Sequence, residues 1–371
     1  PLERTWVKLA RSVQAGDEII EVRDSLAGWK KGDQVILTGT HRPAFDFEKS
    51  VFPRLSQTEQ RKVVEAKSGR TGWTLKLDKP TTFAHFAEGD YRGEVANLSR
   101  NVVVESAAPD GVRGHTMYHR HSAGSISYAE FRHLGKKDVL GRYALHFHLC
   151  RDTMRGSSVI GASIHDSHNR WLTIHGTQYL VVRDCVGYGS VGHGFFLEDA
   201  TETFNILDRN LAALVLPGKP LPDQVLPFDQ NRGAGFWWAN SLNSFTRNVA
   251  VECAEYGYNF EARKADKFDP VRPILQADGT TRKQDVRVLP FVRFEDNEGH
   301  SLPFFGLNLR GLHRPESGIM SFSKQNKQIV AEAAEAHPDG SHPFHIRKLR
   351  FWDSNWSFHA GTSGVYLDGF D

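Results

Sequence analysis

The segment from His146 to Asp199 repeats itself, and that repeat restricts the fold more than any other feature of the chain. Val159–Gly176, VIGASIHDSHNRWLTIHG, can be laid on Val181–Asp199, VVRDCVGYGSVGHGFFLED, with one residue inserted in the second copy. Val159 then meets Val181, Ile164 meets Val186, Ile174 meets Leu197 and His175 meets Glu198. The preceding SISYAEFRHLGKKDVLGRYALHFHL gives a looser third copy, in which Phe147 meets Ile174 and His148 meets His175. Each copy is a pair of short apolar strands separated by a turn rich in Gly, Asn, Asp or Ser. One such unit cannot bury its apolar face alone, whereas stacked units can, which predicts an all-β solenoid of parallel rungs. His148, His175 and Glu198 then stand on one ladder, with neighbouring rungs about 4.8 Å apart.

The repeats begin near Ser99 and are interrupted twice. LPGKPLPDQVLPFDQNRG, about residues 216–233, contains prolines 217, 220, 222 and 227, which cannot donate to a ladder, so it reads as an inserted surface loop. A second excursion spans about 262–286, and extended segments resume at VLPFVRFEDNEGH, LPFFGLNLRG, QIVAEAAEA and HIRKLRFWDSNWSFHAGTSGVYLDGF. Loops of this kind on one side of a solenoid build the walls of a groove. Residues 1–98 read differently: SVQAGDEIIEV, GDQVILTG and GWTLKLDKP are short strands closed by turns, and LSQTEQRKVVEAKSG fits either a short helix or a charged strand. They predict a small β-rich module that shields the N-terminal end of a solenoid over 99–371, because an open stack exposes backbone groups.

Composition removes several functions. Lys+Arg of 46 against Asp+Glu of 44 gives no global attraction to nucleic acid. No run approaches eighteen apolar residues, so no membrane insertion by a helix is expected. The three cysteines, Cys150, Cys185 and Cys253, leave at least one thiol free and exclude dense disulfide stapling, but not secretion. The chain opens PLERTWVKLA without a signal peptide, as a processed or excised chain would. HExxH, GxSxG, Walker and dinucleotide motifs are all missing, which leaves metalloprotease, α/β-hydrolase and nucleotide-binding readings without a motif.

The chemistry concentrates on the ladder. Two imidazoles and a carboxylate from His148, His175 and Glu198 suit a divalent metal, zinc first, with Mn, Fe, Ni or Ca as alternatives. His146, two residues before His148, shares its strand face and is a further candidate ligand. The same pattern also fits an outward ladder of hydrogen-bonded polar side chains. In IHDSHNR, Asp166 and His168 are candidates for proton transfer, and the same residues serve equally as turn formers. Asp199 is a candidate acid–base group or a turn cap. Arg170, which the alignment brings near His193, could grip a carboxylated sugar or pair with Asp166 or Glu198. Of the adjacent Trp237 and Trp238, one should face outward, as a sugar-stacking platform or against a loop. An upstream group, His115, His119 and His121, is another source of a ligand, while His133, His300, His313, His337, His342, His345 and His359 are scattered and read as structural.

LSRNVVVE, RGHTM, YALHFHL, SIHDSHNRWLTIHGT and VGYGSVGHGFFLED resemble the β-helix region of proteins that follow a G8 domain. That family includes the cell-migration-inducing hyaluronan-binding protein, transmembrane protein 2 and the fibrocystin-like group. The resemblance runs from about Trp29 to Arg263. It implies a right-handed parallel β-helix in a secreted, extracellular or periplasmic setting, and for the first two members an association with hyaluronan depolymerisation. The family's HFH and IHGT histidines correspond to His146, His148 and His175, and its FFLED acids to Glu198 and Asp199. Few cysteines and no complete G8 domain or membrane span suggest a bacterial or trimmed relative. The expected function is metal-dependent depolymerisation of an acidic polysaccharide, such as hyaluronan or another uronate-containing glycan, by hydrolysis or β-elimination. The alternatives are a non-catalytic glycan-binding or adhesion solenoid, and a carbohydrate esterase on the same fold.

Overall fold

A computed structural model of the chain describes residues 1–43, 56–310, 343–360 and 364–371. The expected segment QIVAEAAEA and the histidines at 313, 337 and 342 lie outside the described residues. From Val102 onward the chain winds as a parallel β-helix with three faces. The first face stacks Thr116–His119, Leu145–Arg151, Leu172–Thr177, Phe195–Leu197, Ala234–Trp238 and Tyr256–Glu261. The second contains Ser158–Ile160, Val181–Arg183, Ile206–Asp208 and Ser244–Thr246. The third contains Ala129–Arg132, Ser163–His165, Val186–Val191, Leu211–Leu216 and Val249–Cys253.

Alternation along these short strands decides which side chains enter the coil. On the first face Leu145, Phe147, Leu172, Ile174, Phe195 and Leu197 are all buried inward. Phe195, Phe236 and Tyr258 stack at 5.1 and 5.0 Å between ring centroids, so the register repeats the same aromatic at the same height of each turn. The expected pairings of Phe147 with Ile174, Ile174 with Leu197 and His148 with His175 are present. Two others are corrected by one residue: Val159 pairs with Val182, not Val181, and Ile164 with Gly187, not Val186. A constant offset of 23 residues joins these turns, so the alignment needs no inserted residue. The apparent insertion arose because valines occupy both 181 and 182, and the apolar pattern alone cannot choose between them.

The corners supply what the strands cannot. Between the second and third faces, Asp184, Arg209, Arg247 and Asp296 take φ of 53–55°, and after the last three of them comes a buried asparagine. Asn248 Oδ1 accepts from both the backbone N–H and Nδ2 of Asn210, at 3.0 Å each, while Asn248 Nδ2 donates to Leu207 O at 2.8 Å and to Asn297 Oδ1 at 3.0 Å. Asn205 and Asn243 form a matching pair at the corner between the first and second faces. These side chains satisfy backbone groups that turn away from the ladder inside the coil.

The N-terminal residues form a six-stranded antiparallel sheet in the order Trp6–Lys8, Glu94–Asn97, Gln34–Leu37, Glu59–Ser68, Trp73–Leu77, Ile19–Val22, curled until Leu9 bridges Val22. LSQTEQRKVVEAKSG therefore supplies a strand, not a helix. The sheet caps the coil along its flank, where Trp6, Ile36, Ala96 and Leu98 pack on Val186, Leu211, Ala213, Val249 and Val251, and Tyr128 of an early turn packs against the sheet's own core. The reason is chemical, since the outer side of the third face is apolar there and would otherwise meet water. Polar ties extend the contact, including Thr5 Oγ1 to Asp184 O at 2.7 Å and His300 Nε2 to Glu94 Oε2 at 2.9 Å.

Between Leu216 and Ala234 the chain makes no strand, and between 262 and 286 it forms a hairpin of Val271–Leu275 with Thr281–Asp285. The two excursions meet over the first face, where Phe228 and Phe268 lie 5.3 Å apart, edge to face. All three cysteines are free and buried. No helix among the described residues is long and apolar enough to cross a membrane.

Candidate metal centre

Because Leu145 and Phe147 point into the coil, His146 and His148 point out of it on the same strand. The next turn sets His175 beside His148. On the turn after that, the N–H of Glu198 donates to Ile174 O at 2.9 Å, which fixes Glu198 beside His175. Three histidines and one carboxylate, from three turns, thus face one point.

The distances suit a metal. His148 Nδ1 lies 3.2 Å from His175 Nδ1, and Glu198 Oε2 lies 3.2 Å from His175 Nδ1 and 3.6 Å from His146 Nε2. One nitrogen from each of His146, His148 and His175 falls within 4.8 Å of the others. A tetrahedral zinc with bonds of about 2.0–2.2 Å separates its donors by roughly 3.3–3.6 Å. Two of these donor atoms, His146 Nε2 and Glu198 Oε2, are buried without a hydrogen-bond partner. Orphaned buried polar atoms are costly unless something binds them.

Three of the four donors are also oriented from behind. His146 Nδ1 meets the Gly141 carbonyl at 3.1 Å, so that nitrogen carries the proton and Nε2 presents its lone pair. His175 Nε2 lies 3.5 Å from Asp199 Oδ2, leaving Nδ1 for the centre. Asp199 is held in turn, its Oδ1 accepting from the N–H and hydroxyl of Thr201. Glu202 Oε1 accepts from the N–H groups of Gly176 and Asp199. Glu198 Oε1 accepts from Tyr143 Oη at 2.5 Å and from Arg170 Nη1 at 3.3 Å, which turns Oε2 toward the histidines. Gly176 follows His175 with φ of 50°, and a Cβ there would come within 2.8 Å of Leu149 Cδ2, so a larger residue would have to push that side chain aside.

Electrostatics divides the ligands. Burial, reinforced by neighbouring histidines, lowers His146 and His148 to about 4, so both are neutral near pH 7. Burial also disfavours the charged form of His175, but the Asp199 and Glu198 carboxylates that face its two ring nitrogens outweigh this and raise it to about 11. Burial favours neutral Glu198, yet His175 and Arg170 overcome that and lower it to about 2. A metal ion entering this set would displace the proton of His175.

Other expected site residues lie elsewhere or deeper. Asp166 Oδ2 binds His165 Nδ1 at 2.7 Å and the N–H of His168 donates to Leu134 O, both at the corner between the third and first faces. Asp199 is the one proposed acid–base residue in contact with a candidate ligand. Arg170 does not present a cation to solvent: it is fully buried, stacked 3.6 Å over Phe196, and its Nη2 donates to Asp229 Oδ2 at 2.7 Å. His193 is likewise buried, its Nε2 2.8 Å from Asp229 Oδ1, so Asp229 is the link between the two. Of the two readings for the outward tryptophan, the structure has the packing against a loop, not an open sugar platform. Trp238 lies inside the coil against Phe245, and Trp237, on the outer side, is sealed by Phe196 and Phe228. The upstream register resolves as Tyr118 on Phe147 and His119 on His148, whose rings stack at 5.3 Å.

The chain matches the family model described as the CEMIP beta-helix over residues 111–307. It belongs to the CEMIP beta-helix family. Within and around that family, the chain is 27% identical over 360 residues to human Fibrocystin-L, covering 83% of this chain and 8% of the relative. It is 31% identical over 331 residues to human Cell surface hyaluronidase CEMIP2, covering 76% and 22%, and 28% identical over 404 residues to zebrafish Cell surface hyaluronidase, covering 97% and 28%. The chain therefore spans less than a third of these relatives. All three are eukaryotic, so the expected bacterial origin gains no support from them. Among solved structures, the catalytic unit of a GH87 alpha-1,3-glucanase from Streptomyces thermodiastaticus matches all of this chain and 87% of its own, at 10% identity and a TM-score of 0.33.

Proposed function

We propose that this chain is a metal-dependent enzyme that depolymerises an acidic polysaccharide, hyaluronan or a related uronate-containing glycan, outside the cell. The supporting observation is the convergence of His146, His148, His175 and Glu198 on one point, with two orphaned donor atoms, in a chain related to two cell surface hyaluronidases. A divalent ion held there would supply Lewis acidity toward a uronate carboxylate or a water. Asp199 orients His175 and accepts protons at the edge of the centre. With Arg170 enclosed, recognition of uronate passes to Arg151, an exposed cation whose Nη1 lies beside Gly176. Hydrolysis and β-elimination use the same residues and differ in product.

The enclosure of the donors favours one rival, a glycan-binding coil whose metal only ties neighbouring turns together; the His175 side chain is 14% exposed and that of Glu198 4%. Size-exclusion profiles of hyaluronan after incubation with metal-replete protein separate the two. Shortening that disappears in His148→Ala and Glu198→Ala, together with their metal content, supports the enzyme. An unchanged profile over a panel of acidic and neutral polysaccharides excludes it. Ultraviolet absorbance of an unsaturated uronate in the digest then identifies elimination.

A further inference from the structure

Asp229 belongs to the proline-rich excursion, yet its carboxylate lies in the layer directly behind the candidate metal centre. Its Oδ1 accepts from His193 Nε2 at 2.8 Å and from the Asn231 N–H at 2.7 Å, and its Oδ2 from Arg170 Nη2 at 2.7 Å. His193 Nδ1 accepts the Ala234 N–H at 3.0 Å, which fixes its proton on Nε2 and makes it a donor to Asp229. Arg170 then spans from Asp229 to Glu198 Oε1, with Tyr143 Oη at 3.1 Å from Nη1. All five side chains are buried. The excursion is anchored by the same residues: Asn231 Oδ1 accepts from the His193 N–H at 3.3 Å, and Asn231 Nδ2 donates to Lys219 O at 2.8 Å.

We propose that Asp229 is a positioning residue for the metal centre, acting through Arg170 on Glu198, so that seating of the 217–233 excursion and metal affinity are coupled. The coupling rests on the metal-centre reading above. Its physical basis is that a fully buried guanidinium has one arrangement that reaches both carboxylates at once. If Asp229 withdraws, Arg170 has a single carboxylate left and is free to shift, and Glu198 keeps only Tyr143 of the two groups that aim Oε2. Linkage makes the effect mutual: bound metal, by fixing Glu198, must hold the excursion down.

The test uses the whole chain and Zn²⁺ alone. Competition with a chromophoric chelator measures Kd for the wild type, Asp229→Asn and Tyr143→Phe, and Co²⁺ absorption reports ligand geometry. Zinc should bind about 10–100-fold more weakly to both variants, with altered Co²⁺ bands. Hydrogen exchange of wild-type amides in 217–233 should slow when Zn²⁺ is added, a measurement that needs no variant to fold. A wild type that binds Zn²⁺, with variants within twofold of it and no change in exchange, overturns the coupling alone. A wild type that binds no Zn²⁺ overturns the metal centre and the coupling with it.

Discussion

Replacing Asn248 by alanine should cost about 4 kcal/mol. Asn248 is fully buried and its side chain makes four hydrogen bonds, two accepted from Asn210 and two donated to Leu207 O and Asn297 Oδ1. Alanine leaves the Asn210 N–H and one Nδ2 hydrogen facing apolar side chains, and removes a donor from the Leu207 carbonyl. Each orphaned buried group costs about 1–3 kcal/mol, and neighbouring losses share relaxation, so about 4 kcal/mol is the expected sum. That is a large part of a typical stability of about 5–15 kcal/mol. Because each turn touches only its neighbours, the loss should be local, with faster hydrogen exchange in Leu211–Leu216 and Val249–Cys253 before any other strand opens. Urea unfolding followed by circular dichroism gives the free energy, with exposed Asn101→Ala as the control, expected within about 0.5 kcal/mol of wild type. A loss under about 1 kcal/mol, or equal to that of Asn101→Ala, would refute the claim that the asparagine ladder supports the corner.

Arg170→Met should destabilise by about 3–5 kcal/mol, since it leaves Glu198 and Asp229 buried without their shared cation; urea unfolding showing under about 1 kcal/mol would contradict that. Glu59 governs acid behaviour in the N-terminal sheet. Burial favours its neutral form, but His85 and the Thr82 and Phe83 amides outweigh this and lower it from 4.5 to about 2. Its contribution is therefore complete above about pH 4.5 and lost as pH falls toward 2, and Glu59→Gln should flatten the dependence of the unfolding midpoint over that range. Cys150, Cys185 and Cys253 should resist iodoacetamide in the native protein and react, all three, in denaturant, because burial removes access and disfavours each thiolate. Mass spectrometry showing native alkylation at any of them would disprove that burial.

The coil and its ladder were legible because a parallel stack converts sequence spacing into contact. Phe147, Ile174 and Leu197 alternate with polar neighbours, so their inward register also placed His148, His175 and Glu198 on one outer row. The flank position of the N-terminal sheet was not legible, because Val186, Leu211 and Val249 look the same whether they face a core or a partner sheet. For Arg170 and Trp237 two readings stood open, and the enclosed one holds in each, Arg170 pairing with Glu198 and Trp237 packing against a loop. Alternation required one of Trp237 and Trp238 to face outward without saying which, and only three-dimensional closure brings Phe228 over Trp237. Tyr143 and Asp229 had no signal of their own: one sits three residues before His146 in a turn, the other in a proline-rich segment. Asp229 is recognisable only once its partners, Arg170 and His193, are known to be buried and in need of a negative charge.

The uniform 23-residue step between two turns has an editorial consequence. Excision of residues 172–194 removes one whole turn and joins Trp171 to Phe195, so Leu145 would stack on Phe195 as Leu172 now does. The coil would close over the cut, one storey shorter and with its aromatic stack continuous. His175 would leave with the excised storey, and Glu198 would descend beside His148. Coil and site are thus built on different scales: a turn can be removed with the stack still closing, while a centre assembled across three turns loses its middle ligand.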